Sequence, residues 1–204
     1  MSKATLTRMS ILEKSFELIY RKGYQSTSID DIIATTQVTK GAFYYHFKNK
    51  DEMALALIND YMRPNMYQVM LRPLEQAEKP LETFYDMMRN LLHDTDFFDV
   101  RYGCPAINLI EEMAPLNEKF REALSVLMTD WKLGIADCIR YEQQQKTINP
   151  DIDPQQIALF LISGYGGIRN IGKLEGTQSY ESYLVTLQKY LQFLKPSFSV
   201  SSGN

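Results

Sequence analysis

Cysteine and histidine are scarce: two of each occur in 204 residues. Cys104 and Cys138 supply neither a disulfide framework nor zinc-ligand spacing. His46 has only His93 as a fellow histidine, so no metal site is expected. Long apolar runs are missing too. The densest, Ile157–Ile162, is far too short to cross a bilayer, and no membrane association is expected. Lys3, Arg8, Glu13 and Lys14 interrupt any early apolar stretch, which argues against a secretory signal and for a cytoplasmic protein. No Ser/His/Asp grouping or cofactor fingerprint is visible, so neither an enzyme nor a bound cofactor is expected. The glycines at 164, 166 and 167 follow no strand and precede no P-loop lysine/serine pattern.

What is present is an ordinary globular balance, with 45% hydrophobic and 23% charged residues. Disorder is expected only in the tail Ser197–Asn204. The net charge of −3 is unevenly spread. Residues 1–50 hold eight Lys/Arg against four Asp/Glu, a net of +4. The remainder holds fourteen against twenty-one, a net of −7. A basic head on an acidic body suits a modular nucleic-acid binder, since only the head must meet phosphates. Chance clustering of solvated charge is the competing reading.

Helical periodicity dominates, and no alternating strand pattern stands out. A first helix is expected over Thr7–Lys22, with Leu12, Phe16 and Ile19 on one stripe and Gly23 as its stop. Ser28 with Asp31 makes a capping-box pattern for a short second helix carrying Ile29, Ile32 and Ile33. After the turn Gln37–Val38, Thr39 caps a third helix reaching Phe47. Asn49 and Glu52 repeat the box and open a long helix that Pro64 should end or kink, with irregular or helical chain to Ala77. Later helices are expected at Pro80–His93, Pro105–Met113, Leu116–Gln144, from Pro154, and at Ser179–Leu194. Phe120, Leu124, Leu127, Trp131, Ile135 and Cys138 share one apolar face. Leu184, Leu187, Leu191 and Leu194 have near-heptad spacing.

Two short helices joined by a tight turn suggest a helix-turn-helix. In the third helix Phe43 and Phe47, at i and i+4, can enter the core, leaving Lys40, Tyr44, Tyr45 and His46 for a groove and its sugar-phosphate edge. Gly41 costs about 1 kcal/mol inside a helix, which close approach of DNA would explain. Ordinary packing of the Tyr-Tyr-His-Phe run is the bland alternative.

The ordered run Gly23-Tyr24, Thr27-Ser28-Ile29, Ile32, Val38-Thr39-Lys40-Gly41, Tyr44, His46-Phe47 and Lys50 resembles the DNA-binding signature of the TetR family. That resemblance implies phosphate contacts from Thr27, Tyr44 and Lys50, and groove or rim contacts from Thr39, Lys40, Tyr45 and His46. Ser28 and Gly41 complete the candidate DNA-facing set. Gln37 stands where the turn usually has glycine, and Ile33 where alanine is common. The implied fold is all-α: a three-helix DNA-binding domain over residues 5–65, and a larger helical ligand-binding and dimerisation domain over 66–196.

The resemblance further implies that the last two long helices pair with their copies in a homodimer. Pro154–Lys173 is apolar almost all round, and Gly164, Gly166, Gly167 and Gly172 would admit a close helix. Aromatic and Met residues, including Phe97, suggest a cavity for a small-molecule effector, with Tyr61, Tyr67, Met88, Tyr102, Cys104, Trp131 and Tyr165 as its candidates. Plain core is the competing reading for each. Nothing in the sequence places Glu111, Glu112 or Arg169 inside the fold. Cys104, N-cap to Pro105, is open to two readings, an electrophile or redox sensor and an inert packed thiol. The expected function is a repressor released from a partly palindromic double-stranded DNA operator by an apolar or electrophilic inducer. A DNA-bound structural or cell-division factor with this fold and no inducer is the alternative.

Overall fold

The computed structural model describes residues 2–36, 38–94 and 98–196. The turn residue Gln37, the cavity candidate Phe97 and the tail 197–204 lie outside them. Among the described residues every regular element is helical, and no helix is long and apolar enough to cross a membrane. The contacts group the chain into two compact units. The first is Met1–Val69 with Cys104–Thr129, and the second is Met70–Gly103 with Asp130–Asn204.

In the first unit, α1 (Lys3–Lys22) starts earlier than its periodicity shows, because Ser2 accepts from the Thr5 amide as N-cap. Gly23, at φ 85°, ends it in a backbone region that other residues rarely adopt. Helix α2 (Ile29–Thr36) opens on the expected box: the Asp31 amide donates to the Ser28 hydroxyl, and the Ser28 amide to the Asp31 carboxylate. Helix α3 (Lys40–His46) is capped by Thr39, and α4 (Lys50–Ala56) by Asn49. Glu52 reaches back to the Lys48 amide, one residue beyond a standard box.

Pro64 does not stop the helix. Leu57–Met62 widens into π-type turns, α5 (Arg63–Met66) follows, then a second π stretch, Tyr67–Leu71, and α6 (Arg72–Glu75). Each widening precedes a short helix with proline in its first turn. A proline ring clashes with the carbonyl four residues back and has no N–H to donate, and a wider turn accommodates both. With α8 (Pro105–Met113) and the start of α9 (Glu118–Gln144), these helices enclose a core of Leu12, Phe16, Ile32, Phe43, Phe47, Leu57, Phe120 and Leu124. Ile33 is half-buried against it.

The second unit packs α7 (Pro80–His93), the remainder of α9, α10 (Pro154–Glu175) and α11 (Gln178–Phe193). Trp131, Ile135 and Cys138 face inward as their spacing predicts. The near-heptad leucines do not form an outward seam. Leu184, Leu187, Leu191 and Leu194 are each at most 8% exposed within the single chain. Gly164 and Gly172 of α10 are filled by Tyr183 and Tyr180 of α11, so these close approaches are internal to the protomer.

Candidate DNA-binding face and the interior of the second unit

Helix α3 divides as its sequence suggests. Phe43 and Phe47 are buried at 0% and 1% exposure, while Tyr44 and Tyr45 stand out at 46% and 78%. His46 is half-buried with its ring edge-on to Tyr45, 4.9 Å between centroids. Thr39, Lys40 and Gly41 are exposed. A Cβ on Gly41 would meet only the Thr39 hydroxyl, at 3.9 Å. Packing within the protein therefore gives no reason for glycine here. Lys40 donates to Asp30 of α2 at 3.0 Å, and this hydrogen bond, helped by the carboxylate's charge, raises the ammonium's pKa. A phosphate or base must compete with Asp30 for it.

Ser28 is exposed beside this face. Thr27 is not: it is fully buried, and its hydroxyl donates to the Gly23 carbonyl at 2.7 Å. It braces the α1–α2 turn rather than offering a hydroxyl to phosphate. Lys50 is half-buried, with its ammonium donating to the Tyr24 and Thr27 carbonyls, both at 3.0 Å, and lying 4.2 Å from the Tyr24 ring centroid. One of its three N–H groups remains beyond these two bonds.

The same turn is held from α8. The Glu112 carboxylate accepts from the Tyr24 amide at 2.8 Å and the Gln25 amide at 2.7 Å. The Tyr24 hydroxyl donates to Asp51 of α4; burial and then this carboxylate push its pKa well above the usual phenol value. Glu112 and Asp51 were not recognisable as partners of this turn from sequence, because no local pattern joins a carboxylate to amides 88 and 87 positions away.

The seven effector candidates are divided between the two units. Tyr61, Tyr67 and Cys104 belong to the first unit; Met88, Tyr102, Trp131 and Tyr165 belong to the second. Tyr61 packs on Phe16, 5.3 Å between rings, Tyr67 is partly exposed, and Cys104 is a buried N-cap. Met88 is buried and Tyr102 half-buried. Trp131 and Tyr165 meet edge to face at 5.1 Å. A cavity of about 480 Å³ in the second unit is lined instead by residues such as Lys79, Tyr85, Arg89, Glu142, Gln188 and Lys195. Its lining mixes these charged and polar groups with the apolar side chains of Leu81 and Leu191. Arg169, which sequence left unplaced, is wholly interior. No cluster of three or more metal-ligating side chains occurs among the described residues.

Two capped short helices over a sealed core, the second presenting an outward basic and aromatic face, define a helix-turn-helix DNA-binding protein. Residues 11–57 match the bacterial regulatory proteins of the tetR family, and residues 77–186 match the tetracyclin repressor-like C-terminal domain. The chain belongs to the TetR family of transcriptional regulators.

The transcriptional regulator AcuR of Cereibacter sphaeroides is 31% identical over 175 residues, 84% of this chain and 78% of that protein. The HTH-type transcriptional repressor DhaR of a Mycobacterium species is 26% identical over 164 residues, 80% of each. A TetR-family regulator from Cytophaga hutchinsonii superposes with a TM-score of 0.84 at 25% identity, covering 96% of this chain and 98% of that one.

Proposed function

We propose that the chain acts as a homodimeric repressor whose two α3 helices enter successive major grooves of a partly palindromic operator, and that a small molecule bound in the body releases it. The outward face of α3 carries this reading: Lys40, Tyr44 and Tyr45 project from a rigid, capped helix, with Gly41 leaving room for DNA. The similarity to DhaR, a transcriptional repressor, favours repression over activation.

Dimerisation is supported by a stripe on α10. Phe160, Ser163, Gly167, Ile171 and Leu174 are all exposed, at helical steps of three and four residues. Val185 and Phe193 of α11 add exposures of 54% and 84%. A cluster of this apolar character belongs against another surface, and a two-fold copy supplies the same stripe in return. Release requires an effector that binds one arrangement of the head more tightly than the other. Glu112 and Asp51, which hold the α1–α2 turn, are the groups through which such a difference would reach the DNA face.

Selecting operators from random DNA with the purified protein tests the whole reading. Lys40→Ala should change preference among selected sequences. Tyr44→Phe and Lys50→Ala should weaken binding to all of them, with Lys50→Ala lowering the salt slope by about one unit. Phe160→Glu with Phe193→Glu should give a folded monomer that binds its operator weakly. A wild-type protein that sediments as a monomer and still binds tightly overturns the dimer. Unchanged DNA binding in all three head variants overturns the role of α3.

A further inference from the structure

Arg169 of α10 is fully buried, and among the described residues its hydrogen bonds go to neutral groups. Its Nε donates to the Tyr165 hydroxyl at 3.1 Å, and one terminal nitrogen donates to the Leu91 carbonyl of α7. The guanidinium carbon lies 4.9 Å from the Phe98 ring centroid, 5.2 Å from that of Tyr165 and 5.6 Å from that of Tyr180. Gly172, one turn along, leaves the space that the Tyr180 ring occupies. Three π faces offset part of the cost of removing the charge from water, but none of them carries a negative charge.

Arg169 Nη1 and Trp131 Nε1 are buried without a hydrogen-bond partner among the described residues, and the Tyr180 hydroxyl, with no well-formed hydrogen bond of its own, interacts with the Arg169 guanidinium. Trp131 and Arg169 both pack on Tyr165, and Tyr180 packs on Arg169, so the three belong to one cluster. Unpaired buried donors are uncommon in folded proteins and call for an explanation. Here the donors share one requirement, an acceptor, and the guanidinium adds a second, negative charge.

We infer that this cluster binds a small organic monocarboxylate, its carboxylate on the free edge of Arg169 and its apolar body against Trp131, Tyr165 and Phe98. One buried positive charge balances one negative charge, which favours a monocarboxylate over a doubly charged phosphate. A planar carboxylate also matches the guanidinium edge. The inference rests on the proposed effector-responsive regulator and names the chemistry of its effector.

The full-length protein without DNA is titrated with butyrate and benzoate, and in parallel with butyramide and benzamide. Trp131 emission and melting temperature are read together. At least one acid should change the emission saturably and raise the melting temperature, while its amide should not. Arg169→Met should weaken that acid by about tenfold or more. Arg169→Lys should retain part of the affinity, and Tyr180→Phe should lose several-fold in a folded protein. Should Arg169→Met not fold, unchanged acid affinity in both Arg169→Lys and Tyr180→Phe overturns the inference. Equal binding of acids and amides overturns it, as does no binding of either acid. Operator release by neutral compounds alone would then leave the regulator standing without a carboxylate effector.

Discussion

In the first unit, the buried hydroxyls of Thr27 and Thr36 each donate to a backbone carbonyl four residues back, at 2.7 and 2.9 Å. Glu112, Asp51 and Lys50 add a further set of bonds around one turn. Among the described residues of that unit, only the Ser15 hydroxyl is buried without a partner. Among its described residues the second unit leaves an indole N–H and a guanidinium nitrogen unpaired around one charge. A surface that reads DNA works best when rigid before it meets the duplex. An interior that receives a ligand must keep its donors available.

The largest effect on this contrast should come from the core of the head. Phe43→Ala removes a fully buried ring and should cost about 3–5 kcal/mol, losing operator binding and lowering the urea midpoint together. Comparable loss of stability with operator affinity intact would break the link between core and reading face.

Next is Glu112→Gln, which removes the charge and leaves one turn amide facing an amide nitrogen. About 2 kcal/mol of stability should go, read from urea unfolding, with weaker DNA binding at 25 °C. Ser28→Ala removes the cap of α2 and should cost about 1 kcal/mol. An unchanged midpoint would mean that α2 is held by packing alone.

The smallest effect concerns His93, which sits 2.7 Å from Glu181. That hydrogen bond, then the one to the Arg89 carbonyl, raises the imidazole above its ordinary 6.5. The stabilisation is therefore complete below about pH 6.5 and is lost as pH rises through the higher folded value. Both side chains are substantially exposed, so it should stay below about 1 kcal/mol. Wild type should lose more stability than Glu181→Gln between pH 6 and pH 8; identical losses would show that the pair is inert.

Readable in advance were the features that act within one turn of helix. Ser28 with Asp31, Thr39, Asn49 with Glu52, and the prolines opening α7, α8 and α10 cap or start helices through neighbours three or four positions away. Periodicity likewise predicted the inward face of α9 from Phe120 to Cys138. It gave the period of the α11 leucines but not their destination. A near-heptad repeat says that one face is apolar, not which helix covers it, and here the protomer covers its own.

Sequence by itself thus determined the capped or proline-opened starts of α2, α3, α4, α7, α8 and α10, the division of α3 into buried phenylalanines and outward Lys40, Tyr44 and Tyr45, and the family. The tertiary structure alone decided that Thr27 is buried, that Lys50 and Glu112 hold the α1–α2 turn, and that Arg169 lies among aromatic rings with donors to spare. The reason is the range of the interactions. A cap or a helical stripe is fixed by neighbours along the chain, whereas burial and polar pairing depend on which distant segment fills the space alongside. Leu91 and Arg169, 78 positions apart, meet only once α7 and α10 have packed.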